Sequence, residues 1–178
     1  MSQESDYLIM MDGKKVNVVI KKVRYNKIKV KENGKKAEYN SNQKLIKEIY
    51  WAKKDQRILS IAMVASNLYN GYIDPQSNIG FLPIVLDGRI RIFKLEMQDT
   101  KNTLHIKYYI SKDSDPARKI PDVAHNLRTF VNKKNRKFFR EYVEDCPRLA
   151  AKFTADVNLS SKEFLKVIEE YNSVCPNK

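Results

Sequence analysis

The stretch NRKFFREYVEDCPRLAAKF, residues 135–153, decides how the second half of the chain is expected to fold. Its apolar residues recur at the three- and four-residue spacing of an amphipathic helix, and they are Phe138, Phe139, Tyr142 and Val143. Asp145 then precedes Cys146 and Pro147. The pattern predicts a break here, with Asp145 as the N-cap of a short helix and Pro147 in its first turn.

Helical periodicity extends to both sides of this stretch. On the N-terminal side, the apolar period changes from two to 3.6 residues after Pro121. The pattern there predicts one helix, marked by Val123, Leu127, Phe130 and Val131. On the other side, Ser160 and Glu163 have the spacing of a capping box that opens a last helix. We therefore expect residues 117–175 to form a bundle of three to four helices.

The N-terminal part, residues 7–56, has the alternating pattern of short β-strands. Asp12-Gly13 and Asn33-Gly34 are typical of tight hairpin turns. The alternation slips by one residue at Lys21-Lys22, which predicts a bulge or a sharp bend. Four or five short strands joined in this way predict an SH3-like bent antiparallel β unit.

Residues 57–116 predict a second antiparallel β unit. Asp87-Gly88 marks a hairpin between two apolar strands, and alternating residues from Leu104 to Ile110 predict a further strand. The run Ile58 to Val64 is compatible with either a buried strand or a short helix, and residues 67–78 read as loop. The predicted fold class is thus α+β, with β units first and helices last.

Composition excludes several classes of protein. The chain has 178 residues, of which 42% are hydrophobic, enough for a core. No apolar stretch approaches the roughly 18 residues of a transmembrane helix. Five Gly and six Pro without a period exclude a collagen-like chain. The net charge of +13 favours an anionic partner without naming it.

The first concentration of positive charge lies in the predicted β-meander. Lys27, Lys29 and Lys31 alternate with apolar residues, and with Lys35 and Lys36 they are expected on one face of the sheet. Such a face could bind phosphate, acidic polysaccharide or nucleic acid. The alternative is a solvated face that protects edge strands from aggregation.

The second concentration lies at the start of the stretch quoted above. Its members are Lys133, Lys134, Arg136, Lys137 and Arg140, most of which share one side of a helix. This patch is a candidate site for lipid headgroups or lipopolysaccharide phosphates. The alternative is an ordinary polar face opposite Phe138 and Tyr142.

The residues suited to catalysis or metal binding are few and widely spaced. They are Cys146, Cys175, His105 and His125, and no pair has the short spacing of a zinc site. Glu144-Asp145 and Glu169-Glu170 are adjacent in sequence and are interpreted as solvated charge. A thiolate of Cys146 with His125 as base is a weak third possibility. We expect neither a metal, nor a cofactor, nor an enzymatic activity.

The two cysteines and the N-terminus leave the compartment open. Cys146 and Cys175 form either a disulfide or two unpaired thiols, and the residue counts do not choose between them. The polar residues Met1 to Asp6 do not resemble a signal peptide. The chain is therefore expected to be either cytoplasmic or a mature sequence whose signal was removed.

The order of these segments resembles an uncharacterised family of secreted or periplasmic proteins of Bacteroidetes-type bacteria. The resemblance combines the meander DGKKVNVVIKKVRYNKIKV at 12–30, the hairpin LDGRIRIFKLE at 86–96, the strand HIKYYI at 105–110 and a terminal EFLKVIEEYN at 163–172. Its sharpest part is a Y-x-x-D-C-P-x-L motif formed by Tyr142, Asp145, Cys146, Pro147 and Leu149.

This resemblance implies an envelope location and a Cys146–Cys175 disulfide, since that compartment is oxidising. It implies no activity. We therefore expect a non-enzymatic cell-envelope binding or scaffolding protein, whose partners are envelope anions or another envelope protein. The alternative is a basic nucleic-acid-binding module that uses the lysine-rich β face.

Overall fold

The α+β fold class is confirmed. The structure is a computed structural model and describes residues 5–64, 79–98, 102–121, 130–154 and 157–175. Antiparallel strands dominate it, and the three α-helices of the described residues all lie near the C-terminus. The chain divides into two units, Met1–Ile84 and Val85–Lys178. The SH3-like detail and the three-part division at 7–56, 57–116 and 117–175 stay predictions.

The described part of the first unit is built from antiparallel strands in two sheets. The strands are β1 (Tyr7–Met10), β2 (Lys15–Asn17), β3 (Val19–Arg24), β4 (Lys27–Glu32), β5 (Lys35–Asn40), β6 (Ile46–Trp51), β7 (Gln56–Ala62) and β8 (Ile79–Leu86), the last of which crosses the unit boundary. One sheet has the order β2–β1–β6–β7–β8, and the other has the order β3–β4–β5.

Both predicted hairpin turns of the first unit are confirmed, and so is the slip in alternation. The register between β3 and β4 shifts between Ile20 and Lys22, which is a β-bulge. The chain also changes sheet at Val18, between β2 and β3. The apolar run at Ile58 forms a strand, β7, and not a helix. The predicted loop at 67–78 lies outside the described residues.

The core of the first unit joins its two sheets. Its buried members are Leu8, Val18, Ile20, Ile28, Val30, Ile46, Ile49, Ile58 and Phe81. The carboxylate of Asp6 adds a polar link, since it accepts hydrogen bonds from the backbone N–H groups of Ile20 at 2.7 Å and Ala52 at 2.8 Å. Packing and this link together fix β3 against the strands of the other sheet.

The second unit begins with a β-hairpin and ends with helices. Its described elements are β9 (Ile90–Gln98), β10 (Leu104–Lys112), β11 (Arg118–Lys119), α1 (Arg136–Tyr142), α2 (Pro147–Ala150) and α3 (Ser161–Val174). Strand β10 pairs with β9 over its whole length and with β11 at Tyr109 and Ile110. A short 3₁₀ turn, Ala151–Phe153, follows α2.

The helical predictions are confirmed in part. Helices α1, α2 and α3 lie where the periodicity placed them, and Ser160 and Glu163 form the predicted capping box. The helix predicted over Val123, Leu127, Phe130 and Val131 falls largely on residues outside the described ranges. Its end is wrong, because the N–H groups of Phe130 and Val131 donate to the carbonyl of Leu159, at 2.7 and 2.9 Å, in an isolated bridge.

A second apolar core fills this unit. Its buried members include Ile90, Ile92, Ile110, Phe130, Val131, Phe139, Val143, Leu149, Phe153, Phe164, Ile168 and Tyr171. Aromatic rings pack at its centre, with ring centroids 4.4 Å apart for Phe139 and Phe164 and 4.8 Å apart for Phe130 and Phe164. Phe130 and Val131 are therefore apolar because they are buried in this core, although they do not belong to a helix.

Position 88, in the turn between β8 and β9, requires glycine because of its backbone conformation and because of a neighbouring side chain. Its φ of +148° lies in a region that side chains disfavour, and a Cβ there would lie 2.3 Å from Nδ2 of Asn172. Asn172 cannot easily withdraw, because its side chain accepts from the N–H of Ile90 at 2.8 Å and donates to the carbonyl of Ile90 at 2.9 Å. Helix α3 is thus bonded to the start of β9.

We expect Gly88→Ala to lower the free energy of unfolding by about 2–3 kcal/mol, from backbone strain and the clash with Asn172 together. Gly34→Ala is the control, since Gly34 has φ +79° but a Cβ added there would meet nothing within 4 Å. That control should lose only about 1 kcal/mol. Urea denaturation of both variants measures the difference, and equal losses would contradict the close approach of Asn172.

Candidate anion-binding site

Four lysines and one glutamate surround a groove on the three-stranded sheet. The groove has a volume of about 470 Å³, and its lining residues are Lys21, Lys29, Lys31, Lys36 and Glu38, with Val30 and Ala37. We term it the lysine groove. It collects lysines from β3, β4 and β5 into one concave surface of the first unit.

The strand period and the bulge explain why these lysines share a face. Ile28 and Val30 of β4 are buried, so Lys29 and Lys31 between and beyond them are exposed. On β3 the bulge leaves both Lys21 and Lys22 exposed in succession. A bulge re-aims side chains in this way, which brings Lys21 into the groove.

The charges of the groove are only partly compensated. Glu38 lies near Lys27, at 3.1 Å, and Lys29, at 3.2 Å. Hydrogen bonds from these two ammonium groups hold the pKa of Glu38 below its ordinary value. Lys31 and Lys36 lie directly opposite each other in the ladder between β4 and β5, an arrangement of like charges that destabilises a sheet.

The structure places the predicted lysines of the meander at two kinds of position. Lys29 and Lys31 line the groove, whereas Lys27 lies beside it in contact with Glu38. Lys35 pairs with Glu32 in the ladder, one step out of phase with Lys36, and is not among the lining residues. Sequence reasoning did not select Lys21, because its orientation depends on the bulge.

The predicted basic patch of the second unit is less concentrated. Lys133 and Lys134 are exposed before α1, and Lys137 and Arg140 are exposed on it. The Arg136 side chain turns away and donates to the carbonyl of Val157 at 3.0 Å.

Lys137 and Arg140 line a groove of about 620 Å³ whose walls also carry Glu141 and Glu144. The two acids offset the two bases, so this groove has no excess of charge. An anion-binding role of the patch stays a prediction, and the lysine groove is the stronger candidate of the two.

A second cluster, in the Val85–Lys178 unit, centres on Asp145. Its Oδ2 lies 2.9 Å from Nη1 of Arg89, and its Oδ1 lies 2.8 Å from Nζ of Lys112. The hydroxyl of Tyr171 donates to the same carboxylate at 2.9 Å. Asp113 completes the set, since its Oδ1 lies 2.9 Å from Nε of Arg89. We term these five residues the Asp145 network.

The predicted role of Asp145 is therefore wrong on two counts. Cys146, not Asp145, is the N-cap residue of α2, although Pro147 does lie in the first turn as predicted. The Asp145 side chain is also not solvated charge, because it is only 19% exposed and has three side-chain partners. The carboxylate is used for tertiary contacts in place of a local cap.

The electrostatics of the Asp145 network fit a structural role. Burial raises the pKa of Asp145, but hydrogen bonds from Lys112 and Tyr171 and the charges of Lys112 and Arg89 outweigh it and lower the pKa overall. Burial and the hydrogen bond to Asp145 raise the pKa of Tyr171. Both groups are thus driven away from neutral pH, so neither is suited to proton exchange there.

Tyr142, Asp145, Cys146 and Leu149 of the Y-x-x-D-C-P-x-L motif have structural roles in or near this network. The carbonyl of Tyr142 accepts from Nζ of Lys112 at 2.9 Å, and Leu149 is fully buried in the core. The Sγ atoms of Cys146 and Cys175 lie 2.01 Å apart as a disulfide. The motif therefore joins α2 to the end of α3 and to the end of β10.

The disulfide also removes the basis of the thiol-enzyme possibility. Cys146 has no free thiol while it is bonded to Cys175. Its suggested base, His125, lies outside the described residues. Within the described ranges no three His, Cys, Asp or Glu side chains are grouped as metal ligands. No helix in those ranges is long and apolar enough to cross a membrane.

Comparison of the chain with family models, with curated proteins and with solved structures finds no match. The resemblance to a family of envelope proteins therefore stays a prediction.

We expect Asp145→Asn to lower the free energy of unfolding by about 2 kcal/mol near neutral pH, because Arg89 and Lys112 lose their shared counter-charge. The pKa of Asp145 is lowered by folding. Its contribution is therefore complete above the unfolded-state pKa of about 4 and is lost as the pH falls through the folded-state pKa.

Urea denaturation of the wild type and Asp145→Asn across this acid range should show the difference shrinking as pH falls. Glu144→Gln is the matched control, since Glu144 is a neighbour of the same charge that is not part of the Asp145 network. A loss of stability that is the same in both variants, or that is independent of pH, would contradict the role of the Asp145 network.

We expect loss of the disulfide to lower the free energy of unfolding by about 3–4 kcal/mol, because it closes a loop with a sequence separation of 29. Cys146→Ala combined with Cys175→Ala should match the wild type treated with reductant in thermal and urea denaturation. Reductant should leave the double variant unchanged. A wild type whose stability is insensitive to reductant would contradict the bond.

Proposed function

We propose that the chain is a non-enzymatic binding protein of the cell envelope, and that it holds anionic lipid headgroups, including those of lipopolysaccharide, in the lysine groove. The observation that carries this proposal is the composition of that groove. Four lysines and a single glutamate line a groove of about 470 Å³.

The like-charge pair in the ladder adds to this argument. Lys31 and Lys36 occupy opposite positions on β4 and β5, where Cβ atoms are about 4.5–5.5 Å apart. Their repulsion opposes folding of the free protein. An anion bound between them would attract both ammonium groups and offset their repulsion, so the arrangement favours a bound state.

The disulfide supports the extracytoplasmic part of the proposal. Disulfides persist in oxidising compartments and are rare in the cytosol. The Cys146–Cys175 bond joins α2 to the end of α3 within the Val85–Lys178 unit, and a bond of this kind is compatible with such a compartment. The chain is thus proposed to act in the periplasm or outside the cell.

The competing proposal is a nucleic-acid-binding module that uses the same lysines. Single-stranded nucleic acids are held by aromatic side chains on which bases stack, in addition to positive charge. Among the described residues, no aromatic ring lines the lysine groove. The lining therefore favours a ligand recognised through its charge over one recognised through its bases.

We expect the wild type to sediment with vesicles that contain phosphatidylglycerol and not with phosphatidylcholine vesicles, with binding that weakens from about 50 to about 200 mM salt. Lys31→Ala combined with Lys36→Ala should lose most of this binding, by about tenfold or more in affinity. Both lysines are exposed, so the variant should remain folded.

The matched control is Lys47→Ala combined with Lys53→Ala, which removes the same charge from exposed positions outside the groove. This control should bind nearly as well as the wild type. Equal losses in both double variants would show that only net charge matters and would reject the groove. Binding to single-stranded polynucleotide in preference to the vesicles would favour the competing proposal.

A further inference from the structure

We propose that the lysine groove recognises a terminal phosphate with two negative charges, as in a phosphomonoester, through Lys21, Lys31 and Lys36. This inference rests on the proposed function and names the chemical group that the groove selects. The same group occurs in phosphorylated lipid headgroups and in free phosphate esters. The experiments below distinguish these two sources.

The number of available donors matches a terminal phosphate. Of the four lining lysines, Lys29 is paired with Glu38 at 3.2 Å. Lys21, Lys31 and Lys36 have no acidic partner within the described part of the chain. A terminal phosphate presents three acceptor oxygens, one for each of these ammonium groups, whereas a phosphodiester presents only two unesterified oxygens.

The charge of the groove also favours a doubly charged group. Four positive charges and one negative charge leave an excess of three positive charges. Lys31 and Lys36 are paired directly across β4 and β5, so one anion can lie between both. The electrostatic attraction of a dianion to these lysines is about twice that of the monoanion of a diester at the same distance, because the attraction is proportional to charge.

The remaining lining argues that the phosphate carries most of the recognition. The only apolar residues of the groove are Val30, which is 2% exposed, and Ala37. Neither supplies a ring for stacking against a sugar or a base. Selectivity for the rest of the ligand must therefore be weak, and the charged end must supply the affinity.

Glu38 sets that affinity from inside the groove. Its carboxylate holds Lys27 and Lys29 and repels any anion that enters. Replacing it by Gln keeps its size, releases both lysines and removes the repulsion. The groove should then bind the same ligand more tightly, which is a gain of function that damage to the fold cannot imitate.

Methyl phosphate and dimethyl phosphate are matched probes for the test. Methyl phosphate carries two negative charges above its second pKa of about 6, whereas dimethyl phosphate carries one negative charge. Titration of the full chain at constant ionic strength, followed by amide chemical shifts, should give saturable changes confined to β3, β4 and β5. Methyl phosphate should bind about tenfold or more tightly than dimethyl phosphate.

Three variants make the test specific. Glu38→Gln should tighten methyl phosphate binding by about threefold or more, and Lys31→Ala with Lys36→Ala should weaken it by about tenfold or more. Lys47→Ala with Lys53→Ala should have no effect. Equal affinity for the two probes, or no change with Glu38→Gln, would overturn the inference.

Vesicles separate this inference from the proposed function and identify the source of the phosphate. If vesicle binding persists while methyl phosphate shows no saturable site, the inference fails and the proposed function stands. If neither binds, both fail. Preference for vesicles of phosphatidic acid over phosphatidylglycerol supports the inference with a lipid source. Binding of methyl phosphate without vesicle binding supports the phosphate selectivity with a free phosphate ester as ligand and rejects the lipid ligand of the proposed function.

Discussion

The carboxylate of Asp145 holds together parts of the chain that are far apart in sequence. Its partners come from the turn before β9, from the end of β10 and from α3, through Arg89, Lys112 and Tyr171. A partly buried carboxylate is stable only when its charge is compensated. The positions of these elements in the second unit therefore depend on one another through a single side chain, and the adjacent disulfide closes the same region covalently.

The two units differ in how their charges are used. In the Val85–Lys178 unit the cations of the Asp145 network form ion pairs with Asp113 and Asp145, and we interpret these pairs as stabilising the fold. In the Met1–Ile84 unit the lysine groove has an excess of cations. Uncompensated charge is poor for stability and good for binding. Because of this contrast, we assign a structural role to the residues of the Y-x-x-D-C-P-x-L motif and a binding role to the lysine groove, whose residues lie outside that motif.

Much of the fold was predictable because local patterns govern it. Periods of two and 3.6 residues identified strands and helices, and Ser160 with Glu163 marked the start of α3. The Asp145 network was not predictable, because Arg89 and Tyr171 reach Asp145 only after β9, β10 and α3 have packed. One part of the network follows from the register of the β9–β10 hairpin. Ile90 pairs with Lys112, and this pairing brings Arg89 beside Asp113. Lys21 was missed because a bulge, and not alternation, sets its direction.

The central claim is that anions bind to β3, β4 and β5 of the first unit, while the motif residues serve stability. Hydrogen exchange of the full chain with and without phosphatidylglycerol vesicles tests this claim most directly, because it reports on every amide without a substitution. The account predicts added protection in β3–β5 and no change in α1 or around Asp145. Protection confined to α1 and residues 133–140 would contradict it and would assign binding to the basic patch of the second unit.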